Sequence, residues 1–216
     1  DGAESMEAVA RQAVQFFHGS FRDSQEHTAC TLVRFFKTHP YGALPSDLQA
    51  FAQNVFQGEC LSPDTPCITL LATAGDRPEW NTTVQSRRHR TVPLIGEPFT
   101  LRFPMFSRMF ADLGASGPIR PRVEPEALTG SAGRGYNVFH IADTPGSPSV
   151  PDQQDFVIPF AVRSIVAFGG VLPSGDVYAL ALFSKIGIQR HTADLFKTLA
   201  LSLKLALLPF DGGAVF

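Results

Sequence analysis

The residues best suited to chemistry gather in one polar stretch, DRPEWNTTVQSRRHR, running from Asp76 to Arg90. Trp80 is the sole tryptophan of the chain, and Asn81, Arg87, Arg88, His89 and Arg90 follow it closely. A flat aromatic plate beside guanidinium groups suits a planar or anionic ligand, because the ring stacks and each guanidinium can hold an anion with two parallel hydrogen bonds. The same residues also make a solvated basic loop whose tryptophan anchors it to the core, and the sequence leaves both readings open. His140 lies in YNVFHIA, where strand alternation puts it on one face with Val138 and Tyr136. It suits either a structural histidine satisfied by a neighbour, or a haem ligand, metal ligand or polar pocket contact. Trp80, Asn81, Arg87, His89, Tyr136 and His140 are therefore the candidate ligand-binding residues. No catalytic residue, metal ligand or cofactor is assigned.

Other chemistries lack their signatures. There is no Gly-x-Ser-x-Gly elbow, no P-loop, no His-Glu-x-x-His, and no dinucleotide glycine pattern after a strand. The glycine-rich GSAGRG at 130–135 precedes a strand instead of opening a helix, so it reads as a flexible loop. Cys30, Cys60 and Cys67 are odd in number and irregularly spaced, which fits neither a disulfide framework nor a zinc site. A reducing, cytoplasmic compartment and a non-enzymatic role are the expectations.

Composition narrows the partners. Lysine and arginine number 18 against 20 acidic residues, a net charge of −2, so nothing favours nucleic acid, which needs clustered positive charge. The chain holds 19 phenylalanines beside three tyrosines, and phenylalanine fills interiors and interfaces without needing a hydrogen-bond partner. No uninterrupted apolar run reaches the roughly 18 residues of a membrane span, so no membrane is expected. The chain opens on Asp1 rather than Met, and reads as a piece of a larger protein.

The elements that must position these residues follow from periodicity. Residues 4–18 space their apolar side chains as a helix does. ACTLVRFFK (29–37) reads as a strand, Ser46 as the cap of a helix to Phe56 with Gly58 as its stop, and CITLLATAG (67–75) as a second strand. A short strand is expected at Thr91–Leu94, a helix within 99–114 that starts near Pro104, and a strand at 136–142. SIVAFGGVL and VYALALFSK, joined by Pro173-Ser174-Gly175-Asp176, form an antiparallel hairpin. Thr192 caps a last helix to Leu208. Mostly antiparallel strands with helices segregated at the ends make an α+β chain.

IPFAVRSIVAFGGVLPSGDVYALALFSK resembles the closing hairpin of a GAF domain, and RHTADLFKTLALSLKLAL is similar to the helix that follows it there. TACTLVRFF and CITLLATAGD resemble that fold's first two strands, here separated by an inserted helix at 46–57. The resemblance covers residues 29–208 and is closest at the C-terminal end. It implies a GAF-like, PAS-related antiparallel sheet with flanking helices and a small-molecule pocket over one sheet face. It also implies a homodimer, joined by N- and C-terminal helices, that signals to a covalently attached output domain of histidine kinase or nucleotide cyclase type. The whole chain resembles input modules at the N-terminus of bacterial signal-transduction proteins. The cyclic-nucleotide, bilin and methionine sulfoxide reductase signatures of specialised members have no match.

The expected organisation is an N-terminal helical extension at 1–22, a sensory domain at 23–208 and a linker at 209–216. The pocket is expected between the sheet, the helix at 104–113 and the Trp80 loop. The alternative is a dimerisation and relay domain with no small ligand.

Overall fold

A computed structural model describes residues 3–57, 59–86, 89–113 and 138–213. The sequence expectations at Gly58, Arg87, Arg88 and Tyr136, and at the loop 130–135, lie outside the described residues.

Helix α1 (Met6–Ser20) starts where Ser5 accepts a hydrogen bond from the Ala8 N–H at 3.1 Å, satisfying one of the free donors of the first turn. It buries Met6, Val9, Ala10, Val14 and Phe17, the stripe its helical spacing dictates. Strand β1 (Cys30–Pro40) leads through a short turn to helix α2 (Ser46–Val55). Ser46 opens that helix without capping it, because Pro45 occupies the cap position and no side chain bonds there. Strands β2 (Pro66–Gly75) and β3 (Thr91–Pro93) follow.

The apolar stretch after β3 forms two helices, α3 (Gly96–Arg102) and α4 (Pro104–Asp112). They break at Phe103, whose ψ of 59 is non-helical. Pro104 offers no N–H and crowds the residue before it, so the break falls there. Strands β4 (Val138–Ile141), β5 (Ser164–Val171) and β6 (Val177–Ser184) come next, followed by helices α5 (Arg190–Asp194) and α6 (Phe196–Leu207). Thr192 lies inside α5 rather than capping it, since Gln189 is the cap residue.

The six strands form one antiparallel sheet in the order β3-β2-β1-β6-β5-β4. The central strand β1 is pinned to the β5–β6 hairpin tip by Lys37, whose buried ammonium lies 2.5 Å from Asp176. Thr38 adds a bond there by accepting from the Val177 N–H at 2.8 Å.

Alternation along the strands divides the core in two. Val33, Phe35, Phe168, Tyr178 and Leu180 face α1 and α6, and the Tyr178 hydroxyl donates to the Ala200 carbonyl at 2.8 Å. Leu32, Phe36, Phe139, Ala181 and Phe183 face α3, α4 and the segment around Val150–Val162. Leu71 has no partner in the β1–β2 register, a bulge that lets Ala72 and Leu71 both pack on the α1 face. Truncating a fully buried ring such as Phe168 to alanine would cost about 3–5 kcal/mol.

Helix α1 is thus part of the main core, and most of the apolar stripe expected at a dimer interface is used within the chain. What remains exposed is Phe16 on α1 and Leu195, Leu201, Leu205 and Leu208 at the C-terminal end. Among the described residues no helix is long and apolar enough to cross a membrane.

Candidate functional site

Arg34 sits in β1 between Leu32 and Phe36, so alternation turns it toward the α4 face of the sheet, away from Val33 and Phe35. Its cross-strand partners are Thr73 on β2 and Ala181 on β6. An arginine here is out of place by composition, since apart from Thr73 its neighbours on that face are aliphatic and aromatic. Burial pulls its pKa down to about 10, which leaves the guanidinium charged at neutral pH.

A cavity of ≈ 230 Å³ lies over Arg34. Met105, Phe106 and Met109 of α4 form one wall, and Phe183 and Ala181 of β6 form the floor beside Arg34. Trp80 and Phe156 form a second wall, their ring centroids 5.7 Å apart. Ser86 and His89 complete it from the loop between β2 and β3, and Asp152 and Asp155 stand on the far side. A second cavity of ≈ 460 Å³ adjoins it, sharing His89, Phe106 and Asp152.

Polar groups in the first cavity are few and incompletely satisfied. Arg34 Nη1 lies 3.4 Å from His89 Nδ1. Arg34 Nε and Ser86 Oγ are buried with no hydrogen-bond partner, as is Oγ1 of Thr73, the register neighbour of Arg34. Among the described residues no carboxylate pairs with Arg34. Buried polar atoms left unsatisfied in a folded protein are uncommon and call for an explanation.

The walls are held by local devices. Asn81 copies a strand neighbour: its Oδ1 accepts from the Gly75 N–H at 3.0 Å and its Nδ2 donates to the Gly75 carbonyl at 3.1 Å. Nδ2 also reaches the Arg77 carbonyl at 2.9 Å, so the short turn Pro78–Asn81 is fixed against the end of β2. Trp80 is thereby laid over Gly75, where an added Cβ would come within 3.0 Å of the indole. Phe160 closes on the same ring at 4.6 Å.

On the opposite wall, Gln153 gathers the loop before it. Its Nε2 donates to the carbonyls of Thr144 at 3.0 Å and Val150 at 2.9 Å, and its Oε1 accepts from the Gly146 N–H at 2.9 Å. The π-helical turn Gln153–Val157 then presents Asp155 and Phe156. It is flanked by Asp152 and Ala161, both left-handed with φ of 59 and 51. Single π turns and strained non-glycine backbone both concentrate at functional sites.

The sequence-derived candidates therefore divide. Trp80 and His89 line the cavity. Asn81 does not; its amide is spent on the Gly75 and Arg77 backbone. His140 is on the other face of the sheet, paired with Val166, and its Nε2 lies 2.7 Å from the Ile188 carbonyl. A backbone carbonyl at that distance is the kind of neighbour the structural reading of His140 expects. Arg90 pairs with Asp47 at 2.6 Å outside the cavity. Sequence reasoning missed Arg34, and its signal was the lone charge in ACTLVRFF, at the position where alternation demands an apolar side chain.

Cys30 and Cys67 are buried, and burial pushes their thiols up to about 12, which disfavours the thiolate at neutral pH. Among the described residues no group of three or more histidine, cysteine or acidic side chains could hold a metal ion. The chain matches no protein-family model and no curated protein.

Proposed function

We propose that the chain is a regulatory sensory domain of the GAF type that binds a small molecule in the Arg34–Trp80 cavity. Occupancy is passed to an attached output domain of histidine kinase or nucleotide cyclase type, and the domain itself catalyses nothing. The observation that carries this reading is the cavity's composition: a mostly apolar wall in which the Arg34 Nε and the Ser86 hydroxyl are buried without partners. Binding sites are built that way, with a few placed polar groups orienting a ligand held by apolar surface. The antiparallel sheet with terminal helices packed on one face and a cavity on the other is compatible with the resemblance noted in the sequence.

Strand β1 gives the site a route outward. Arg34 faces the cavity while its neighbours Val33 and Phe35 pack among residues of α1 and α6 on the other face. A ligand that prefers one position of Arg34 biases the packing of the terminal helices by its differential affinity for the two arrangements.

A thermal-shift screen of small metabolites on wild-type protein and on Ala181→Phe tests the reading. Phenylalanine at 181 fills the cavity floor beside Arg34. Hits in the wild type that vanish in the variant are the expected result, since a ligand at about one hundred times its Kd stabilises by about 2.7 kcal/mol. Hits that survive the filled floor, or a folded wild type with none, would overturn it.

The second reading, a homodimeric relay domain without a ligand, is favoured by one observation. Leu201, Leu205 and Leu208 recur at helical spacing on an exposed face at the end of α6. The dimer is common to both readings, which part over the ligand, and we place it in the cytoplasm, bound to neither nucleic acid nor membrane.

A further inference from the structure

We infer that the ligand of this cavity is a small apolar monocarboxylate, its head group held by Arg34 and Ser86 and its hydrocarbon body lodged against Trp80, Phe156 and Met109. The inference rests on reading the cavity as a ligand site, and names the ligand's chemical class.

The head group follows from the unmet polar groups. A guanidinium withdrawn from water loses strong hydration, and proteins normally restore it with a carboxylate or several carbonyls. Among the described residues Arg34 has neither; its Nη1 approaches a ring nitrogen of His89 at 3.4 Å. Nε points along the edge that forms the second arm of a bidentate carboxylate grip, and it is buried and unsatisfied. Ser86 Oγ, unsatisfied in the same cavity, supplies a further donor. A neutral carbonyl would satisfy one N–H and leave the charge uncompensated. A carboxylate does both.

Arg34 Nε and Ser86 Oγ, two donors left unsatisfied among the described residues lining the cavity, match the two oxygens of one carboxylate head. Size and walls set the body. A cavity of roughly 150 Å³ accepts benzene, so the ≈ 230 Å³ here admits a ligand of roughly ten heavy atoms. Trp80, Phe156, Phe106 and Met109 offer ring faces, ring edges and a thioether to an aromatic or branched aliphatic group.

The test is titration calorimetry with paired probes: benzoate and phenylacetate against benzamide and phenylacetamide, with acetate and inorganic phosphate as heads lacking a body. Wild-type protein should bind the acids on the order of tenfold more tightly than the matched amides. Acetate and phosphate should give no saturable heat. Arg34→Met removes a half-buried charge with an unsatisfied Nε while keeping much of the volume, so it should melt above the wild type without ligand and bind acid and amide alike.

Equal affinity for acid and amide in the wild type would overturn the carboxylate assignment while leaving the ligand site standing. So would an acid preference that persists in Arg34→Met. Phosphate binding as tight as phenylacetate would overturn the monoanion assignment. If no probe binds, the class named here is wrong, and the Ala181→Phe screen decides separately whether the cavity is a site at all.

Discussion

Arg34 on the central strand and His89 in the loop before β3 meet across the cavity, Nη1 to Nδ1, at 3.4 Å. A guanidinium has only donors, so Nδ1 is the acceptor and the imidazole proton sits on Nε2. The ring is held in that orientation by Phe103 and Phe106, at 5.9 Å and 5.4 Å between centroids. Replacing His89 by phenylalanine keeps those ring contacts and deletes the acceptor. The expected outcome is a folded protein less stable by about 1–2 kcal/mol, read from urea denaturation, because Arg34 then has one partner fewer. An unchanged midpoint would mean that the contact contributes nothing to the unliganded state.

The seating of Trp80 depends on Gly75 and Asn81. A Cβ at Gly75 would lie 3.0 Å from the indole and 3.1 Å from Leu32 Cδ1, too close unless the ring shifts. Gly75→Ala should therefore displace Trp80, with red-shifted emission and stronger quenching by acrylamide. Asn81→Ala, which frees the backbone of Gly75, should do the same and cost about 2 kcal/mol. Wild-type emission in both variants would show that the indole is placed by something else.

His39 makes stability depend on pH. It is buried in β1, and desolvation, helped by Lys37, brings its pKa down from 6.5 to about 3. Between those values the unfolded chain binds a proton that the native chain does not. The His39 contribution is thus fully present above pH 6.5 and is lost as pH falls toward 3, at up to about 1.4 kcal/mol per pH unit. Urea midpoints at pH 7.5 and pH 5 should converge in His39→Gln. A variant as acid-sensitive as the wild type would assign that loss to other groups.

The same physics explains what could be read from the sequence. Alternation in SIVAFGGVL and VYALALFSK, with a Pro-Ser-Gly-Asp tip, is enough to specify the hairpin, because turn chemistry and period agree. The helix starting near Pro104 was legible from its apolar spacing and its proline, whereas α3 before it was not read as a helix of its own, because 7 residues are too few for a helical period to register. At the site, Trp80 and His89 were legible as dense chemistry beside the expected pocket. Asn81 was not legible as a backbone clamp, since an amide in a polar loop looks the same whether it faces a ligand or Gly75. His140 could not be assigned a face until the register placed it opposite Val166. Arg34 went unread because a charge inside an apolar run looks like an interruption, and only the fold shows that it lies half-buried over a cavity.

The exposed end of α6 carries its own prediction. Leu201 and Leu205 are 42% and 59% exposed, four residues apart on one helical face. If that face joins two copies, Leu201→Glu with Leu205→Glu should shift a dimer to monomer in light scattering without lowering the melting temperature of the fold. A wild type that is monomeric at high micromolar concentration would remove the dimer.

Trp80 is the sole tryptophan of the chain and half-buried in the cavity wall, so one indole N–H resonance reports on the site. Following that resonance by heteronuclear NMR, while titrating compounds that raise the melting temperature, tests the central claim most directly. The account predicts a saturable shift of this single peak in the wild type and none in Ala181→Phe. Compounds that stabilise the protein while leaving the Trp80 resonance in place would contradict it.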